Sequence, residues 1–301
     1  MELQGYFQHM KQFLSHTVIE RAQPWLGTFV SIRVEDAADS PAHRAINAAF
    51  AEIGLVHRLM SFHNSDSDVT KLNRYAFHGP VKVHPYSLKV IKHALEISSV
   101  SGGCFDITIG AELVNWKVLP RLTESSFDPK ASWQDIELLT KCRVVFHRSL
   151  LIDLGGIAKG YAVDRAAKIL DTIGIKKYII NAGGDIRVNS EYPETIALDA
   201  GFPMRELPFV EIKNGSIASS TGWKSKKLVG DIFIGPHVNG IFRSPVPPEN
   251  FASVTAKSCT IADALTKVVL AQGVESKRIL KLYGAGAYFY NAKSGWINLR
   301  K

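Results

Sequence analysis

Cysteine is sparse in this 301-residue chain: Cys104, Cys142 and Cys259 stand far apart, with no C-x-x-C pairing. That excludes a disulfide framework and a cysteine-rich zinc site, and leaves three free thiols as the expectation. Long apolar runs are missing too: none reaches the ~18 residues a transmembrane helix needs, and the N-terminus lacks the basic-then-apolar order of a signal peptide. Internal repeats and low-complexity linkers are also absent. The net charge of +8 is spread over scattered lysines and arginines, the short cluster Lys224–Lys227 being the densest. Without an RRM, zinc-finger or basic-helix signature, nucleic acid is not expected as a partner, and attraction of a phosphorylated small ligand is the milder reading. What is present is the composition of an ordinary enzyme, 46% hydrophobic and 21% charged, which is enough to bury a sizeable core. The opening MELQGYFQHM reads as an appended leader, so residues 1–17 are set apart and 18–301 are read as one domain.

Gly27–Val34 alternates apolar and polar residues as a half-buried strand does. Ser40–Met60 carries Ile46, Ala49, Phe50, Ile53, Val56 and Met60 at helical spacing, with Ser40 placed to cap and Pro41 in the first turn. A polar turn at His63–Asp68 leads to another helix over Pro85–Val100, where Leu88, Ile91, Leu95 and Ser98 would share a face. Strand signals cluster at Cys142–His147, Tyr178–Asn181, Thr195–Asp199 and Ser216–Ser220, and a final helix runs from Thr260 to Gln272 with its stop at Gly273. Without strict βαβ alternation, this pattern predicts a layered α+β architecture of mixed sheets packed with helices. Proline-rich Gly240–Val254 is the one long loop expected, and it is placed to lie over a site.

Several segments could carry chemistry. In LLIDLGGIAKGYAVDRAAKIL, Leu150–Leu170, a strand-like run meets Gly155 and Gly156, and a helical pattern starts at Ile157. A helix N-terminus behind a glycine pair offers amides to an anion, and Lys159 would add a full charge, but a plain turn before an ordinary helix fits the same residues. A second glycine pair in YIINAGGDIRV reads either as a hairpin steadied by Asn181 and Asp185, or as amides plus a carboxylate for ribose or phosphate. Phe105 and Trp116 read as core rather than as cofactor stackers. In TIADALTKVVL, Asp263 and Thr266 could offer hard oxygens to magnesium, or Asp263 and Lys267 could form an exposed helix pair. His237, in IGPHVNG, reads by default as a surface histidine.

Together the segments LGTFVSIRV, MSFHNSDSDVTKLN, GGCFDITIGAELVNW, DLGGIAKGYAVD, INAGGDIRV, SIASSTG and SVTAKSCTIADALTK resemble the ApbE family of flavin transferases, in the family's order and over nearly all of the chain after Val18. The resemblance implies an ApbE-like, T-fold-related α+β domain that moves FMN from FAD to a threonine or serine of an acceptor flavoprotein bearing a D-x-S/T-G-A-S/T target. It implies FAD contacts from Leu26, His63, Cys104, Phe105, Asp106, Asp153 and Lys159, and magnesium at Gly156, Asp263 and Thr266. It also implies action outside the cytoplasmic membrane, whereas a chain natively lacking a signal would stay in the cytoplasm.

Two departures stand out. Where the family's A-D-A-L-x-T ends in threonine, this chain has Lys267, whose ammonium cannot ligate a cation while protonated. The segment that usually reads H-x-I-D-P-x-T-G is here GDIFIGPHVNG, with Asp231 or Ile232 near the usual histidine's place and a histidine moved to position 237. Asp231, His237 and Lys267 are therefore the candidate catalytic groups for an in-line phosphoryl-type transfer. The rival readings are a non-catalytic FAD-binding protein and a magnesium-dependent FAD pyrophosphatase using water as acceptor.

Overall fold

A computed structural model describes residues 18–121, 126–201 and 207–300, so the expected leader at 1–17 lies outside the described residues. Its centre is an eight-stranded sheet formed by β1 (Val18–Trp25), β2 (Thr28–Glu35), β3 (Lys177–Ala182), β4 (Asp185–Ala197), β5 (Phe209–Thr221), β6 (Phe251–Ala256), β7 (Gly286–Asn291) and β8 (Gly295–Asn298). Spatial order follows chain order, and each neighbouring pair is antiparallel. The α+β expectation holds, but the sheets are not mixed in strand direction: a meander with helical excursions needs no parallel crossover.

Helices arrive in two excursions. The longer, between β2 and β3, holds α1 (Asp39–Met60), α2 (Asp68–Tyr75), α3 (Pro85–Val100), α4 (Gly110–Asn115) and α5 (Ala158–Ile173). The shorter, between β6 and β7, holds α6 (Cys259–Gln272) and α7 (Lys277–Leu282), so Thr260–Gln272 is not the last helix. The expected apolar stripe of α1 is buried at Ile46, Ala49, Phe50, Ile53, Val56 and Met60. Its cap position is Ala38 rather than Ser40, whose hydroxyl instead accepts from Arg44. In α3 the buried face is rotated from the expected one: Ser87, Val90, Ile91, Ala94, Ile97 and Ser98 are buried, while Leu88 and Leu95 are half-buried.

The sheet's two faces have separate cores, as period-two alternation requires. Tyr178, Ile180, Ala218, Ala252 and Val254 face the helices. Val188, Val210, Ile217 and Phe251 pack with Tyr288, Tyr290 and Trp296 on the opposite face. The expected loop Gly240–Val254 is thus shorter than its prolines suggest, because Phe251–Val254 already belongs to central strand β6.

Two local features depart from the sequence pattern. Leu150–Leu154, strand-like in sequence, joins no sheet. Asn73 replaces the missing ladder, donating from Nδ2 to the Ile152 carbonyl at 3.0 Å and accepting the Ile152 amide at 2.8 Å, and the Asp153 amide donates to the Ile107 carbonyl at 2.8 Å. The Gly183–Gly184 turn is a tight hairpin with both glycines at positive φ, and Asn181 Oδ1 accepts the Gly184 amide at 3.0 Å.

Candidate active site

The site is built where α5 crosses α6. A Cβ on Gly160 would lie 2.2 Å from the Cys259 carbonyl oxygen and 2.8 Å from Asp263 Cβ, so only glycine permits this approach. Each helix caps the other. Asp164 on α5 accepts the amides of Cys259 and Thr260 and the hydroxyls of Ser258 and Thr260 at the start of α6. Asp263 on α6 returns the contact, accepting the Gly160 amide on Oδ2 at 3.0 Å in the first turn of α5. The positive end of α5 therefore already faces a protein carboxylate.

Two lysines hold two buried carboxylates beside this crossing. Lys159 Nζ lies 2.6 Å from Asp185 Oδ2, and Asp185 is fully buried at the start of β4. Its other oxygen, Oδ1, is buried without a hydrogen-bond partner. Burial and the nearby Asp263 carboxylate push the Asp185 carboxyl above its usual range, against the pull of Lys159. Lys267 Nζ donates to Asp263 Oδ1, to the Asp263 carbonyl at 3.1 Å and to Ser220 Oγ at 3.1 Å. Burial opposes charge on Asp263, but Lys267 and Lys159 prevail and hold its carboxyl below the usual range. The alternative of an exposed helix pair does not hold: Asp263 is fully buried and Lys267 half-buried.

A cavity of about 420 Å³ opens beside these lysines. One wall is apolar, formed by Ile107, Ile109, Leu113, Val118 and Leu119; the other carries Gly155, Gly156, Lys159, Ser220, His237 and Lys267. A second hollow of about 440 Å³ is lined by Leu26, Met60, Phe62 and His63, and shares Leu119, Asp153, Gly155 and Lys159 with the first. Two largely apolar lobes therefore meet at a polar waist. The Asp153 carboxyl at that waist is raised by burial, although it accepts the Gly155 amide and faces His63 and Lys267. His237 is half-buried rather than a surface residue, and its Nε2 is shielded and unpartnered. Burial, then the neighbouring Lys267 charge, lower its pKa to about 3, so the imidazole is neutral near neutral pH.

Most of the expected residues converge here. Phe105, Asp106, Asp153, Gly156, Lys159, His237 and Lys267 line the first lobe, and Leu26 and His63 line the second. Asp185 meets the site through Lys159. Four other expected residues neither line the lobes nor pair with a lysine that does. Asp231 is exposed at the tip of the hairpin joining Lys227–Val229 to Ile232–Ile234, away from the lining. Asn181 spends its side-chain oxygen on the glycine turn. Cys104 is buried, and its thiol is pushed up to about 12 by burial. Thr266 is fully buried, bonded to Ser220 Oγ at 2.8 Å and to the Asp263 carbonyl at 2.6 Å, while Lys267 one position on reaches the cavity.

The sequence reading missed Arg243 and Ser220. Arg243 donates to Asp106 Oδ2 at 3.0 Å, to Thr108 Oγ1 at 2.9 Å and to the Ala131 carbonyl at 2.8 Å, fixing the Asp106 segment as a wall. Only its place in the proline-rich segment signalled it. Ser220, within SIASSTG, is the hydroxyl that Thr266 and Lys267 share.

Magnesium, which the family resemblance implies at Gly156, Asp263 and Thr266, does not fit this donor set. An ammonium sits on Asp263, the Thr266 hydroxyl points into the helix–sheet contact, and the Lys267 side chain passes within 3.5 Å of where a Gly156 Cβ would stand. Among the described residues, no cluster of three or more histidine, cysteine, aspartate or glutamate side chains could hold a metal ion.

Comparison with known proteins gives a consistent result. Residues 26–289 match the ApbE family. The FAD:protein FMN transferase of Vibrio cholerae is 26% identical over 237 residues, 73% of this chain and 71% of that one. The FAD:protein FMN transferase of Haemophilus influenzae is 24% identical over 193 residues, 58% of this chain and 55% of that one. In three dimensions the chain is similar to the ApbE protein of Thermotoga maritima, with a TM-score of 0.81 at 23% identity over 94% of this chain and 97% of that one. A flavinyl transferase from Pseudomonas stutzeri gives a TM-score of 0.77 at 20% identity, with 94% of each chain covered.

Proposed function

Because the chain belongs to the ApbE family, we propose that it is an FAD:protein FMN transferase, passing FMN from FAD to a threonine or serine hydroxyl of an acceptor flavoprotein and releasing AMP. The observation that carries this reading is the waist between the two lobes. A dinucleotide with a ring system at each end and a pyrophosphate between them matches two apolar hollows that meet at Asp153, Gly155 and Lys159, with Gly156 and Lys267 on the first hollow's side. Leu26 and His63 would serve one ring system, and Phe105 with the Ile107–Leu119 wall the other.

In the reaction the acceptor oxygen bonds to the phosphorus on the FMN side, and the bond from that phosphorus to the bridging oxygen breaks. AMP leaves with that oxygen. The hydroxyl proton passes to a base, and the neutral His237 Nε2 is the unpartnered acceptor beside the waist. A base with so low a pKa orients the hydroxyl rather than removing its proton early, which suits a transfer dominated by positioning and charge neutralisation. Lys159 and Lys267 supply that neutralisation, while Asp185 and Asp263 fix the lysines. Asp231, exposed on its hairpin, has no role in this scheme. Magnesium dependence, which the resemblance carries, finds no support in the donor set.

Incubation with FAD and an acceptor domain bearing the D-x-S/T-G-A-S/T target tests the reading. In-gel flavin fluorescence on the acceptor together with AMP is the expected result. AMP without labelled acceptor would identify a pyrophosphatase, and bound FAD with neither product would identify a non-catalytic flavin binder.

A further inference from the structure

The three hydrogens of the Lys267 ammonium are all placed on oxygen: a carboxylate oxygen of Asp263, the Asp263 main-chain carbonyl and the Ser220 hydroxyl. Carboxylate, carbonyl and hydroxyl oxygens are also what a hard divalent cation selects. This oxygen set is not a surface accident, because Asp263 is fully buried and held from its other side by the Gly160 amide, and Ser220 is held by Thr266. The lysine's position follows from helical geometry, since residue 267 lies four places after Asp263 on the same face of α6.

Charge balance points the same way. Lys159 and Lys267 pair with Asp185 and Asp263 at one crossing, and the Asp153 carboxyl of the waist also faces Lys267. A divalent ion on the Asp263 oxygens would have to displace one ammonium and would remain beside the other. Neighbouring like charges cost more in a half-buried site than at a hydrated surface.

We propose that the Lys267 ammonium is the resident cation of this site, occupying the oxygen set that would otherwise take a divalent metal, so that ligand binding at the waist is independent of divalent cations. The inference rests on the FAD reading only where a flavin is used as the probe; the metal-binding prediction stands on the side-chain geometry alone. A protein that needs no metal here exchanges a dissociable cofactor for a covalently attached charge, and its flavin affinity becomes insensitive to chelators.

The test measures Mn²⁺ binding by electron paramagnetic resonance, and FAD affinity by fluorescence with and without EDTA. The wild-type chain is expected to bind no Mn²⁺ at Asp263 and to hold FAD equally well in EDTA and in magnesium. Lys267→Thr is expected to gain one Mn²⁺ per chain, lost again when Asp263→Asn is added. Mn²⁺ on the wild-type chain that Asp263→Asn abolishes would overturn the proposal. So would a tenfold fall in wild-type FAD affinity on chelation, or a Lys267→Thr chain with native circular dichroism that takes up no Mn²⁺. If Lys267→Thr does not fold, the wild-type measurements decide, with Lys267→Met as the neutral variant of similar length. Failure to bind FAD under any condition would count against the flavin reading instead, leaving Mn²⁺ binding to judge the cation.

Discussion

The Gly160 amide donates to Asp263 Oδ2 at 3.0 Å, and with the four hydrogen bonds that Asp164 accepts from Ser258, Cys259 and Thr260 it ties α5 to α6 where the site is built. Asp263 thereby serves three partners: the first turn of α5 on one oxygen, Lys267 on the other, and Thr266 on its carbonyl. Residues that hold the fold and residues that hold charge are the same ones here.

Gly160→Ala is expected to destabilise the protein although alanine is the better helix former. The added methyl would fall 2.2 Å from the Cys259 carbonyl oxygen, which is backbone and cannot swing aside. Overpacking of this kind costs about 1–3 kcal/mol and would force α6 away from α5. Urea denaturation measures the loss, with Gly79→Ala as control because nothing lies within 4 Å of a Cβ there. FAD affinity should fall in the first variant and hold in the second.

Asp231→Asn and Asn181→Ala separate position in sequence from position in space. Asp231 is exposed on its hairpin, so its substitution should change stability by less than about 0.5 kcal/mol and leave flavin transfer unaltered. Asn181→Ala removes the acceptor of the Gly184 amide and should cost about 1 kcal/mol of stability, with FAD affinity changed little. Loss of transfer in Asp231→Asn at unchanged stability would return that residue to the mechanism.

These contrasts mark what could be read from the chain alone. Period-two alternation located β2, β3 and the end of β5, and glycine pairs located the hairpin and the entry to α5, because strand and turn signals are local. Leu150–Leu154 looked like a strand because burial alone makes an apolar run; that its hydrogen bonds go to Asn73, 79 residues away, is a tertiary fact. Helical spacing placed Asp263, Thr266 and Lys267 on one side of α6, but i+3 and i+4 differ too little for spacing to say which one reaches the cavity. Neighbours decided it: Ser220 on β5 draws in Thr266, and the open waist accepts the longer lysine. The mutual capping by Asp164 and Asp263 joins residues about a hundred positions apart and has no local signature.

His237 should make stability fall on mild acidification. Its pKa is near 6.5 in the unfolded chain and is lowered to about 3 in the fold, chiefly by burial. Below 6.5 the unfolded chain takes up a proton that the folded chain refuses. The histidine's contribution is thus fully present above about pH 6.5 and is lost as pH falls toward 3, by up to about 1.4 kcal/mol per pH unit. His237→Gln should flatten that part of the stability–pH curve measured by urea denaturation. An unchanged slope would show that the imidazole is protonated in the fold.

Lys159 and Asp185 give the sharpest separation of folding from binding. Removing the lysine alone, as Lys159→Met, strands a carboxylate that is fully buried and already has one oxygen without a partner, and breaking such a pair costs about 3–5 kcal/mol. Part of that loss will be relieved by protonation, since burial and Asp263 already hold the Asp185 carboxyl above its usual range. Replacing both partners, as Lys159→Met with Asp185→Leu, leaves no orphaned charge and should restore most of the stability, because an apolar pair of similar volume is often neutral against a buried ion pair. FAD affinity should not return with it. The double variant still lacks the ammonium at the waist, and a charge-assisted contact of about 1.5–3 kcal/mol corresponds to roughly a tenfold to hundredfold loss. Denaturation and flavin fluorescence on the same three proteins distinguish the two roles: recovery of both would make Lys159 a structural partner of Asp185 only, whereas recovery of stability alone assigns its charge to the pyrophosphate.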